Sequence, residues 1–168
     1  MRNTFQVQRA ANIQAAPETI FPLVNDFHNW HLWSPWETLD AAMKKTYSGA
    51  PSGKGAVYEW SGNSKAGQGR TEIMESTPPF RIAIKLDFVK PFEGHNIAEF
   101  TLQPKNGSTD LVWSMSGPEP FIFRLMKIFF SMDKMLGKDF EAGLAKLKSL
   151  AETQSRNAEE QSKTGSEA

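Results

Sequence analysis

Cysteine is absent from this 168-residue chain. Disulfides, thiolate zinc centres and a cysteine nucleophile are excluded by that, and a secreted disulfide scaffold is a poor fit. An excess of charge of either sign is missing too, since 19 basic side chains face 19 acidic ones. That balance, with no local stripe of Lys and Arg, asks for neither a nucleic-acid partner nor an anionic membrane surface. Long apolar runs are lacking as well. The most apolar stretch, Phe121 to Met132, is broken by Arg124 and Lys127 and does not predict a membrane span. Met1-Arg2-Asn3-Thr4-Phe5-Gln6 passes straight into alternation, without the apolar core of a signal peptide. The expectation is a cytoplasmic protein with no stable membrane insertion.

What the chain does have is rings. Aromatic residues make up 11% of it, with five Trp and twelve Phe. Large rings fill cores, and they also line pockets for apolar ligands. The length suits one domain, placed at residues 1–151, and the nearly apolar-free stretch 152–168 reads as a disordered tail.

Hydrophobic periodicity lays out the elements. Thr4 to Gln14 alternates as a first strand. Pro17 suits the first position of a helix that Ile20, Phe21, Leu23 and Val24 continue, short or kinked because Pro22 falls inside it. A second short helix follows and ends before Pro35. Strands are then expected at Lys44–Ser48, Ala56–Gly62, Arg70–Ser76, Phe80–Val89, Asn96–Gln103 and Leu111–Ser116, the last after an Asn106-Gly107 turn. From about Phe121 to Ala151 the period becomes helical, through Leu125, Phe129, Met132, Leu136, Phe140, Leu144 and Leu147. This is an α+β helix-grip order: a curved antiparallel sheet of six to seven strands around a long C-terminal helix, with two short helices after the first strand.

Five stretches carry a family likeness. They are Ile20-Phe21-Pro22-Leu23-Val24-Asn25-Asp26 with Trp30-His31-Leu32-Trp33-Ser34-Pro35-Trp36, then Gly55 to Gly62 with Asp110 to Met115, and Met132 to Leu144. The chain resembles the polyketide cyclase/dehydratase-like branch of the START/SRPBCC superfamily over roughly Phe5 to Glu152. The resemblance implies a cavity between sheet and long helix for an apolar ligand such as a lipid or polyketide. It carries over no catalytic residue and implies no cofactor. Alternative readings are a cyclase or dehydratase acting on such a ligand, and a protein-interaction module of the chaperone-activator kind, for which Phe121-Ile122-Phe123 and Phe129-Phe130 could form a patch. A monomer or homodimer fits either.

The expected ligand-binding residues follow from the inward rows: Tyr58 and Trp60, then Ile84, Leu86 and Phe88, then Phe100, Trp113 and Met115. The helix adds Met132, Leu136 and Phe140. Plain core packing is the competing reading for all of them. Tyr58, Trp60 and Trp113 stand out because each carries a polar atom that wants a partner when buried. Gly137 and Gly143 within the helix mark close packing, or else space for a ligand. Glu75 is the weak candidate for a general acid or base, sharing parity with Ile73, whereas Glu59 and Glu99 fall on the outward register. His28, His31 and Glu37 could in principle hold a metal, but the sequence supplies neither a fourth ligand nor a second shell, so no metal is expected. The Gly49 to Gly55 loop fails as a phosphate loop on spacing, with Gly55 where Ser or Thr should stand.

Overall fold

The computed structural model describes residues 4–119 and 132–166. Seven strands form one antiparallel sheet: β1 (Thr4–Ile13), β2 (Lys44–Gly49), β3 (Ala56–Ser61), β4 (Gln68–Thr77), β5 (Arg81–Lys90), β6 (Gly94–Lys105) and β7 (Ser108–Pro118). Their spatial order is β1-β7-β6-β5-β4-β3-β2. Helix α1 (Pro17–Asn25) and a 3₁₀ helix (Phe27–Leu32) separate β1 from β2, and the long helix α2 (Met132–Gly165) closes the chain. The sequence-expected helix grip is thus the observed fold. The aromatic run 121–130, proposed above as a patch, lies outside the described residues.

Each strand has a local cause. The β6–β7 hairpin turns on Asn106 and Gly107, both at positive φ (49° and 85°), as a tight two-residue turn demands. Alternation then sets the faces: Ile82, Ile84 and Leu86 of β5 point inward and are buried, while Arg81, Lys85 and Asp87 point out.

The Trp-rich segment finishes α1. A helix leaves its last carbonyls without intrahelical partners. Here the Trp30 Nε1–H donates to the Val24 carbonyl at 2.9 Å and the Trp33 Nε1–H to the Leu23 carbonyl at 2.8 Å. The Asn29 side-chain amide donates to the carbonyl of Pro22 at 3.0 Å. The two indoles thereby fix the 3₁₀ helix against the sheet, where Trp33 meets Phe100 and Trp113 edge to face.

Helix α2 crosses the inner face of the sheet with Phe140, Leu144, Leu147 and Ala151 buried. Arg9, on the inward row of β1, holds its first turns: the guanidinium donates to both Asp133 carboxylate oxygens, at 2.9 and 3.0 Å, and to Glu141 at 3.1 Å. Gly137 makes room for it, because a Cβ there would lie 2.1 Å from Arg9 Nη2. Gly143 does the same for Pro35 and Trp113. Both glycines therefore serve close packing. Where the sequence reads as a disordered tail from Glu152, the helix instead runs on to Gly165. Its residues there are mostly solvent-exposed, so the missing apolar pattern marks a solvated helix rather than an unstructured chain.

Candidate functional site

Between the sheet and the first turns of α2 lies a cavity of about 310 Å³. That is at the lower end for small-molecule sites. Ile84, Leu86 and Phe88 of β5 form its floor, joined by Trp113 and Met115 of β7 and by Tyr58 and Trp60 of β3. Met132, Met135 and Leu136 of α2 roof it, and the loop after the 3₁₀ helix contributes Trp36, Glu37 and Leu39. Phe92, Met135 and Leu39 are exposed large apolar residues that also line the cavity, which places its mouth among them.

Nine of the expected ligand-binding residues line this space: Tyr58, Trp60, Ile84, Leu86, Phe88, Trp113, Met115, Met132 and Leu136. Phe100 and Phe140 do not. Both are fully buried, Phe100 among Trp30, Trp33 and Trp113, and Phe140 stacked on Trp113. They face inward as the period requires, but a ring rather than a void stands opposite each.

The three polar-tipped rings are handled differently. The Trp60 Nε1–H donates to the Ala66 carbonyl at 2.9 Å, and its ring fits over Gly69, where a Cβ would lie 2.4 Å from Cη2. The Tyr58 hydroxyl reaches toward Glu37 Oε1 at 3.5 Å. Burial, then the charge of Glu37, hold the Tyr58 pKa far above its ordinary value, so the phenol stays protonated. The Trp113 Nε1–H is buried with no hydrogen-bond partner among the described residues.

Glu75 is not an inward acid. The β4–β5 register slips between Ile73, opposite Ile84, and Glu75, opposite Ala83. Met74 is the extra residue of a β-bulge, and the bulge reverses the parity that alternation assigned to Glu75. Its carboxylate lies on the outer face, 63% exposed and paired with Arg81. Arg81 also holds Glu99 there, and Glu59 is likewise exposed.

Glu37 brings a largely buried carboxylate onto the cavity wall. Its side chain is 9% exposed and ion-paired with Lys45. Sequence reasoning weighed Glu37 only as a metal ligand, because a loop has no period from which to assign a face. The would-be metal set does not converge: His28 Nδ1 lies 2.7 Å from Asp26 Oδ1, and His31 Nδ1 lies 2.7 Å from the His28 carbonyl. Among the described residues no helix is long and apolar enough to cross a membrane.

Comparison with known proteins agrees with this architecture. Residues 4–152 match the family described as polyketide cyclase/dehydrase and lipid transport. Among solved structures the fold is similar to CV1439 from Chromobacterium violaceum, at TM-score 0.61 and 18% identity over 90% of this chain and 99% of that one. It is also similar to the Aha1 dimer from Colwellia psychrerythraea, at 0.62 and 13% over 88% and 96%. DynU16, a protein in the dynemicin biosynthetic locus, is similar at 0.61 and 16% over 89% of this chain and 48% of that one. Likeness at these identities concerns the fold alone. No curated protein matches the chain.

Proposed function

The chain belongs to the polyketide cyclase/dehydrase and lipid transport family, and from that premise we propose that it binds an apolar or amphipathic small molecule in the cavity beneath α2. The observation that carries the reading is the cavity of about 310 Å³, walled by side chains of β3, β5, β7 and α2 that are almost all apolar. Transfer of apolar surface from water onto such walls supplies about 25 cal/mol per Å² buried, so a lipid, polyketide or aromatic compound fits it best. Freshly purified protein in native mass spectrometry should carry a ligand of defined mass. Fatty acids or apolar dyes titrated into stripped protein should shift the fluorescence of Trp36, Trp60 and Trp113, which share the cavity wall. Absence of both responses would remove the binding reading.

One observation favours a second reading, cyclase or dehydratase chemistry. Glu37 and Tyr58 bring two titratable groups onto the wall, and a paired acid and base is what such an enzyme needs. The two readings separate on Glu37→Gln: a pure binding protein keeps its uptake of apolar probes in that variant. An enzyme additionally loses turnover of whatever compound co-purifies.

A further inference from the structure

Asn96 joins the Trp113 indole as a polar group of the cavity wall with no hydrogen-bond partner among the described residues. Asn96 stands on the inward row of β6 with Ala98 and Phe100, is 8% exposed, and lines the cavity. Among the described residues its side-chain amide exchanges no hydrogen bond. By contrast the Thr71 hydroxyl donates to the Tyr58 carbonyl at 3.1 Å, and the Tyr58 hydroxyl approaches Glu37. An amide that makes no hydrogen bond within the protein and opens onto a cavity is available to whatever enters it.

The backbone beside Asn96 sets which end of the amide is free. Gly117 of β7 lies alongside, and a Cβ there would sit 2.3 Å from Asn96 Oδ1. The oxygen edge therefore rests against β7, and the two N–H donors on Nδ2 are left for the cavity. A single trapped water would need two to four polar partners to be well held. Leu86, paired with Asn96 across β5 and β6, and Ala98, two residues along β6, have apolar side chains that offer none.

Resting on the reading that the cavity takes an apolar ligand, we propose that Asn96 is a specificity-determining residue that donates a hydrogen bond to an oxygen acceptor on that ligand. The chemical class is then an apolar skeleton bearing a ketone, ester or alcohol oxygen, rather than a plain hydrocarbon.

The test uses the full chain and a matched pair of probes: 2-acetylnaphthalene, and 2-isopropylnaphthalene, in which the carbonyl oxygen is replaced by a methyl group. Each displaces 1-anilinonaphthalene-8-sulfonate from wild type and from Asn96→Leu. The expected result is that Asn96→Leu weakens the ketone relative to the hydrocarbon by about fivefold to tenfold, the effect of one neutral hydrogen bond. Hydrocarbon affinity should persist, and the melting temperature should not fall, because no hydrogen bond within the protein is lost. In wild type the infrared carbonyl stretch of bound 2-acetylnaphthalene should lie below its position in an alkane, which keeps the proposal testable if the variant does not fold. An unchanged affinity ratio, or an alkane-like carbonyl stretch, overturns the assignment of Asn96 and leaves the cavity reading standing. Failure of both probes to bind wild type overturns both.

Discussion

Trp113 and Phe140 lie ring on ring, with centroids 4.0 Å apart and planes 4° from parallel. One ring rises from the middle of β7 and the other descends from α2, so this stack is where helix and sheet close on each other. It divides α2 into two parts with different work. From Phe140 onward the inward residues Leu144, Leu147 and Ala151 pack solidly. Before it, Met132, Met135 and Leu136 roof the cavity.

Truncating either ring to Ala should destabilise the protein by about 3–5 kcal/mol, the usual range for a large buried aromatic. The double variant should cost less than the sum of the singles, by about 0.5–1.5 kcal/mol for a stacked pair. Urea unfolding of the four proteins measures this. Strict additivity would show that the rings contribute only their separate burial. Trp113→Phe, which keeps a ring, should stay folded.

The two helix glycines should respond unequally to Ala. Gain in helix propensity is about 1 kcal/mol at each. A Cβ at Gly143 meets Pro35 Cδ at 3.0 Å and Trp113 Cζ3 at 3.1 Å, and neither neighbour can yield without disturbing the core. The three atoms nearest a Cβ at Gly137 all belong to the guanidinium of Arg9, which can swing into solvent and release Asp133. Gly143→Ala should therefore lower the melting temperature more than Gly137→Ala. The reverse order would contradict this account of the helix–sheet contact.

His95 and Asp87 form an outer-face pair with Nδ1 and Oδ1 2.7 Å apart. Hydrogen bonds to Asp87 and then Glu93 raise the His95 pKa above its ordinary value. Burial pushes Asp87 up, but the hydrogen bond from His95 and the charge of Lys85 outweigh it and leave Asp87 below its ordinary value. The raised His95 stabilises the fold fully below about pH 6.5, and the effect fades as pH climbs through the raised value. The lowered Asp87 stabilises it above about pH 3.9, and the effect is lost as pH falls through the depressed value. The pair thus acts between those limits. In an NMR titration, Asp87→Asn should move the His95 midpoint down; an unmoved midpoint would show that the contact is absent in solution.

The end of the domain can be located by truncation. Ala151 is fully buried, and the Glu152 carboxylate accepts hydrogen bonds from the Gln14 backbone N–H at 3.0 Å and from Lys148 at 2.7 Å. Removing 153–168 should leave the melting temperature unchanged, since those residues cover no core. Removing 151–168 should lower it. If the shorter deletion alone lowers it, the exposed end of α2 has a docking role not accounted for by these contacts.

Much of this protein is written in local pattern. Alternation along Arg81–Lys90 and the Asn106-Gly107 turn place β5, β6 and β7, because period and turn chemistry are properties of neighbouring residues. The same holds for the helical row from Met132 to Leu147 and for the order of elements that marks the helix grip. Four matters were decided only in three dimensions. The bulge at Met74, which turned Glu75 to the outer face, exists only in the pairing of β4 with β5. Phe100 and Phe140 face inward as expected, yet whether an inward side chain meets a ring or a void depends on residues far away in the chain. Glu37 sits in a loop, where no period assigns a face, and only the fold brings it beside Tyr58 and Lys45. Beyond Ala151 the apolar row stops, but backbone hydrogen bonding carries α2 on to Gly165, since a helix needs no buried face to continue one already nucleated. Periodicity determines which way a side chain points; a cavity is what remains unfilled when several elements meet, and no single segment encodes that.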